Sequence, residues 1–282
     1  VVAGPAPDLG LPVTLPRSAY WEMRAGGDPA RPHRILLAWP EGPPPPGGFP
    51  VLFLTDGNAT FATAVDAARA RAWRGGAEDI APALIVGLGH PGSGPFDIPA
   101  RKRDYTPPAA GKPDGTGGAD AFLSFIEAEL VPALERRFPV DRARLALFGH
   151  SFGALLALHA LFSRPTLFCR IVAASPSLWW AEGALMEAAR RFAASPPAGA
   201  ETVALLVTVG ALEGRDDGSP QAVLRAARRM AGNARDLAAL LTGRGPSVDF
   251  VEFPGETHGS VIPAAIARAL PFALPTAPGA TA

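Results

Sequence analysis

Leu145-Ala146-Leu147-Phe148-Gly149-His150-Ser151-Phe152-Gly153 is the stretch from which the rest of this chain can be read. The apolar run Leu145–Phe148 reads as a buried strand, and Ala154–Phe162 directly after it reads as a helix. A G-x-S-x-G between a strand and a helix has the form of a nucleophile elbow, a bend that lifts a serine hydroxyl clear of a sheet. Gly149 and Gly153 let neighbouring backbone pass close to that bend. Such a short pattern needs structural context to carry weight, and the sequence around it supplies some.

Ser18–Arg24 and Arg34–Trp39 read as two strands joined by the turn-forming Gly26-Gly27-Asp28-Pro29. Val51–Leu54, Ala83–Leu88, Arg170–Ala174, Val203–Val209 and Val248–Phe253 are short apolar runs of the kind that make fully buried parallel strands. Helical stretches are expected at Ala59–Trp73, Ala119–Phe138 (with Pro132 inside it), Glu182–Ala194, Pro220–Leu241 and Ser260–Phe272. Pro43–Pro46 reads as a rigid surface loop, and the Gly- and Pro-dense stretch 89–117 as one long functional loop. Strands alternating with helices after an opening hairpin predict an α/β fold: a mostly parallel sheet, an antiparallel N-terminal hairpin and helices on both faces. The expected organisation is a Pro/Gly-rich arm over residues 1–16, one α/β-hydrolase domain over 17–274 and a frayed tail over 275–282.

The chain has 282 residues, 48% hydrophobic and 18% charged, enough for one large α/β domain with a buried core. Its formal net charge of zero gives no reason to expect a nucleic-acid or anionic-membrane partner. The single cysteine, Cys169, excludes an intramolecular disulfide and a cysteine-based zinc site, and its apolar neighbours predict a buried packing residue. No stretch is long enough to span a bilayer. The chain starts at Val1 and shows no signal segment, so either a leader has been removed or the chain has been trimmed. No metal or organic cofactor is implied, and the expected state is a monomer.

A serine hydroxyl needs a base within hydrogen-bond reach. Of five histidines, His258 in Glu256-Thr257-His258-Gly259-Ser260 fits best, because it follows the last strand and completes the order serine, acid, histidine. His150 should point away from the hydroxyl, His159 should be a packed core residue, His33 lies at the wrong end of the sheet, and His90 borders the pocket. The acid should follow the strand Val203–Val209, which makes Glu213 the first choice. Asp216, Asp217 and Glu256 compete with it, and a Ser–His dyad is an alternative. The oxyanion donors are expected to be the Phe152 N–H and a backbone N–H at Gly57 or Asn58.

Several further segments resemble one family, the enterochelin-esterase branch of the esterase-D-like α/β-hydrolases. They are Val51-Leu52-Phe53-Leu54-Thr55-Asp56-Gly57-Asn58-Ala59-Thr60-Phe61, Arg101-Lys102-Arg103-Asp104-Tyr105-Thr106-Pro107, Ser175-Pro176-Ser177-Leu178-Trp179-Trp180, Val209–Glu213 and His258-Gly259-Ser260-Val261. The resemblance runs from about residue 18 to about residue 273. It implies Ser151 as nucleophile, His258 as base, and a trilactone siderophore of the enterobactin or salmochelin kind, free or iron-loaded, as substrate. It also favours a compact single-domain, periplasmic type. Arg101, Tyr105, Trp179 and Trp180 are then candidate substrate contacts, with paired indoles stacking on catechol rings and arginine pairing with catecholate oxygens. Trp179-Trp180 reads equally as a core anchor, Arg101-Lys102-Arg103 equally as a solvated run, and Arg101 equally as a partner of Asp104. Related branches leave a general carboxylesterase or feruloyl-type esterase open, and a non-catalytic ferric-siderophore binder is the reading from another class.

Overall fold

The computed structural model describes residues 13–73, 80–109, 111, 113–216 and 218–276. Eight strands form one sheet: β1 Ser18–Arg24, β2 Pro32–Ala38, β3 Phe49–Thr55, β4 Leu84–Gly89, β5 Val140–His150, β6 Arg170–Ala174, β7 Ala204–Gly210 and β8 Ser247–Phe253. Their order across the sheet is β1-β2-β4-β3-β5-β6-β7-β8. β1 and β2 pair antiparallel as a hairpin, β2 runs antiparallel to β4, and every later pairing is parallel. β3 and β4 are buried at every residue, as their unbroken apolar runs require of strands covered on both faces.

The helices are α1 Gly57–Ala72, α2 Ile98–Tyr105, α3 Ala119–Phe125, α4 Val131–Glu135, α5 Phe152–Ser163, α6 Ala184–Ala194, α7 Pro220–Arg228, α8 Met230–Leu241 and α9 Val261–Ala273. α1 and α9 close one core with Leu52, Leu54, Phe148 and Leu206. α3, α4, α5, α6 and α8 close the other with Phe53, Leu147, Ile171 and Val207. Among the described residues no helix is long and apolar enough to cross a membrane.

Three local expectations change. The stretch 89–117 is not one structureless loop: it contains α2, started by Asp97, whose side chain accepts from Ala100 N (2.9 Å), with Pro99 in the first turn. Ala119–Phe138 is α3, a π turn over Ile126–Leu130 and then α4, which stops at Glu135. The wide turn sits just ahead of Pro132, whose ring and missing N–H disrupt the regular ladder there. The expected helix Pro220–Leu241 breaks at Arg229, which takes a left-handed conformation (φ 45°). Asn233 Nδ2 donates to the Arg228 carbonyl (3.0 Å) and so caps the end of α7. α8 then packs its Ala234, Leu237 and Leu241 face into the core, while among the described side chains of α7 only Ala222 is buried. Most of the expected arm (1–12) and of the tail (277–282) lies outside the described residues.

A buried ionic cluster ties the hairpin to α2. Asp104 is fully buried and is contacted by Arg103 Nη2 (2.8 Å), His90 Nε2 (3.1 Å) and Arg31 Nη2 (3.3 Å). These cations and hydrogen bonds overcome the cost of burying the Asp104 carboxyl and hold it well below the usual carboxylate range. His33, 1% exposed between the rings of Phe122 and Phe125, is pushed down from 6.5 to about 4 by burial, against the pull of Asp104. Between those two values the unfolded chain binds a proton that the folded chain refuses. Stability is therefore full above the unfolded value and falls as pH drops towards 4, by about 1.4 kcal/mol per pH unit for this group. Denaturant midpoints at pH 7 and pH 5 test this. The loss on acidification should shrink by about 2 kcal/mol in His33→Phe, and an unchanged loss would show that His33 already carries a proton in the folded state.

Candidate active site

β5 leaves the sheet at His150, and α5 begins at Phe152. Ser151 between them has φ 60° and ψ −113°, a strained conformation for a residue with a Cβ. The strain is held by the Ser151 N–H donating to the Ala174 carbonyl (3.0 Å) and by the Ser151 carbonyl accepting from the N–H groups of Ala154 (3.1 Å) and Leu155 (3.2 Å). The flanking glycines are sterically required. A Cβ at Gly149 would lie 2.0 Å from the Gly153 carbonyl oxygen, and one at Gly153 would lie 2.0 Å from Thr55 Oγ1.

Three parallel strands bring the remaining groups to the same sheet edge. Glu213 follows β7 and His258 follows β8. His258 Nε2 lies 3.1 Å from Ser151 Oγ, and His258 Nδ1 lies 2.7 Å from Glu213 Oε2. The Glu213 side chain has no exposure, whereas that of His258 is 44% exposed, so the carboxylate is fixed and the imidazole faces the cleft. Glu213 Oε1 accepts from the Gly210 N–H (2.8 Å) and from the Ser175 hydroxyl. Of the competing acids, Asp216 is exposed and turns back to accept from the Gly218 N–H (3.0 Å). Glu256 meets this region through its carbonyl, which accepts from Leu212 N. Asp217 lies outside the described residues.

The other histidines serve elsewhere. His150 points away from the Ser151 hydroxyl, but not to solvent: its Nε2–H donates to the His258 carbonyl (2.9 Å). Burial first, and then the nearby His258 and Arg101, push it down from 6.5 to about 3, so it stays neutral. His159 is not a plain core residue; its Nε2 meets Asp120 Oδ1 at 2.7 Å. His90 does not border the Ser151 cleft but joins His33 at Asp104. His33, His90 and Asp104 are the converging metal-type ligands among the described residues, with ligand atoms within 4.8 Å of one another. Two guanidinium groups already occupy the Asp104 oxygens, which opposes a further cation there. Cys169 is half-buried rather than buried, and burial raises its thiol pKa.

Ser151 and His258 open into a cleft of 620 Å³. Its walls include Phe152, Trp179 and Met230, and its rim carries Arg101, Lys102, Arg215, Arg225 and Arg228. Arg228 stacks on the Trp179 ring (4.5 Å to the centroid), and Trp179 lies against Phe152 (6.2 Å between ring centroids). Among the described residues no carboxylate pairs with Arg215 or Arg228. Arg101, 7% exposed, pairs with Asp56 (2.7 Å) rather than with Asp104. Burial raises the Asp56 pKa, and Arg101 opposes that rise.

Four expected contacts fall outside this cleft. Tyr105 is fully buried, and its hydroxyl accepts from the Asp56 N–H (3.0 Å), so it supports the Arg101–Asp56 pair from behind. Trp180 turns to a separate cavity with Pro107, Pro108 and His159, so the two indoles do not form one wall. Gly57 packs against Gly87, where a Cβ would meet backbone at 2.7 Å. The Asn58 amide is bound to the carbonyls of His90 and Gly94 (3.1 Å each). Neither residue lines the cleft, whereas the Phe152 N–H starts α5, where no helical carbonyl is available to it.

Sequence reasoning missed Ser177, whose hydroxyl is 3.0 Å from Ser151 Oγ, and the cleft-lining Arg215, Arg225 and Arg228. Ser177 was visible inside the Ser-Pro-Ser turn after β6. Arg225 and Arg228 lie on α7, which ends at the left-handed Arg229, a break that no adjacent glycine or proline marks.

A family described as "Putative esterase" matches residues 29–258. The ferri-bacillibactin esterase BesA of Bacillus subtilis is 36% identical over 89% of this chain and 88% of its own length. The siderophore triacetylfusarinine C esterase of Aspergillus fumigatus is 38% identical over 93% of this chain and 95% of its own. Among solved structures, the siderophore hydrolase EstB from Aspergillus nidulans superposes with a TM-score of 0.81 at 31% identity, covering 93% of this chain and 95% of that one. With its sheet order, its helices on both faces and these relatives, the chain belongs to this esterase family, has the α/β-hydrolase fold, and is a hydrolase of ester bonds.

Proposed function

We propose that this esterase opens the trilactone backbone of a siderophore through a Ser151 acyl-enzyme. The observation that carries the reading is the unbroken hydrogen-bond chain from Glu213 through His258 to Ser151, ending in a cleft with a basic rim and an aromatic wall. His258 Nε2 takes the Ser151 proton as Oγ attacks an ester carbonyl. Glu213 stabilises the imidazolium that forms. The Phe152 N–H at the start of α5 faces the developing oxyanion. His258 then protonates the leaving alcohol and activates water to release the acid.

Two features of the cleft favour an aromatic, anionic substrate. Trp179 offers an indole face for stacking. Arg215 and Arg228, with no carboxylate partners among the described residues, offer planar cations to catecholate or hydroxamate oxygens. The names of the two curated relatives, a ferri-bacillibactin esterase and a siderophore triacetylfusarinine C esterase, support a siderophore substrate. The test is Arg228→Gln. It should raise KM about tenfold on a ferric catecholate trilactone, through loss of one charge-assisted contact. Turnover of a neutral nitrophenyl ester should stay within about twofold. Equal losses on both substrates would remove the charge-reading role of this rim. A feruloyl ester beside enterobactin in the same assay separates the siderophore reading from a general carboxylesterase.

A further inference from the structure

We infer that Ser177 is a positioning residue that donates a hydrogen bond to the nucleophile and fixes the direction of its attack. The inference rests on the Ser151 acyl-enzyme reading. Ser177 is 2% exposed, and its Oγ lies 3.0 Å from Ser151 Oγ. The Ser177 N–H also reaches the Ser151 carbonyl (3.4 Å). Two residues earlier, the Ser175 hydroxyl donates to Glu213 Oε1, and the Ser175 N–H donates to the Thr208 carbonyl (2.7 Å). One Ser-Pro-Ser turn, stiffened by Pro176, therefore holds both the acid and the nucleophile.

Counting protons gives the direction of the Ser177 bond. An ionised carboxylate only accepts, so the 2.7 Å contact with Glu213 Oε2 places the ring proton on His258 Nδ1. Nε2 of the neutral imidazole is then an acceptor, and the Ser151 hydroxyl donates to it across 3.1 Å. That hydroxyl has one proton, so in the contact between the two serines Ser177 is the donor. One lone pair of Ser151 Oγ is thereby occupied, which leaves the other for the ester carbon. In the attack the Oγ–C bond forms, the carbonyl π pair moves to oxygen, and the Ser151 proton moves to Nε2. When the intermediate collapses, the bond to the leaving alkoxide breaks, and Nε2 returns the proton to it. The Ser177 proton stays on Ser177 throughout.

The test uses the full chain and Ser177→Ala, with three readouts: steady-state hydrolysis of a nitrophenyl ester, the rate of inactivation by a fluorophosphonate, and the melting temperature. The expected result is about a tenfold fall in both kcat and the inactivation rate, as for one hydrogen bond to a reacting oxygen. KM should stay within about twofold and the melting temperature within a few degrees. A labelled parent with an unchanged Ser177→Ala rate would overturn the inference alone. So would a loss that simply tracks a large fall in melting temperature. A parent that takes no label would sink the Ser151 reading, and this inference with it.

Discussion

Ser151→Ala is expected to lower kcat for ester hydrolysis by at least about 10⁴-fold, because it removes the atom that attacks while the rest of the site stays in place. Any residue at position 151 is held near φ 60° by the sheet edge and the start of α5, so alanine suffers the same backbone strain as serine. The two hydroxyl contacts at 3.1 and 3.0 Å are lost, at a cost in stability of about 1 kcal/mol. Hydrolysis of a nitrophenyl ester and circular-dichroism melting, run on the same preparation, separate the two effects. Near-parental turnover by a folded Ser151→Ala protein would mean that the reaction runs elsewhere on the molecule.

Glu213→Gln tests whether the acid acts electrostatically or merely fills space. Glutamine matches the shape of a side chain that has no solvent exposure. Its amide oxygen can keep the Gly210 N–H (2.8 Å) and the Ser175 hydroxyl as donors. Its NH₂ then faces His258 Nδ1, which must become an acceptor, so the ring proton moves to Nε2. That nitrogen can no longer take the Ser151 proton. The expected fall in kcat is about 10⁴-fold with little change in KM, the size seen when a triad acid is replaced by its amide. A loss of less than about tenfold would show that a Ser–His pair suffices and that Glu213 is a structural anchor.

The legible part of the site shares one geometric cause. In a parallel sheet every βα loop leaves at the same edge, so residues that follow β5, β7 and β8 meet there whatever their separation in sequence. Chain order alone was therefore enough to bring Ser151, Glu213 and His258 together as candidates. The substrate contacts had no such rule. Trp179 and Trp180 are neighbours, yet one lines the cleft and the other a separate cavity, just ahead of a tight turn with Ala181 and Glu182 at positive φ. Tyr105 lies in a motif that looked like substrate recognition, but α2 turns it inward beneath Asp56. The α2 helix itself was hidden by the Gly and Pro content around it, although Asp97 and Pro99 carried its start signal.

The sequence by itself determined the succession of strands, most of the helices, the elbow, and Ser151, Glu213 and His258 as candidates for the sheet edge. Those features follow from local apolar periodicity and from glycines that no side chain could replace. Only the tertiary structure decided which arginines reach the cleft, that Arg101 is paired with Asp56, and that Ser177 touches the nucleophile. Each of these depends on where a loop or a helix break points a side chain, and that direction is set by packing between segments far apart in the chain. Residues 151 and 177 meet because β5 and β6 lie side by side in the sheet, a pairing that no local stretch of sequence encodes.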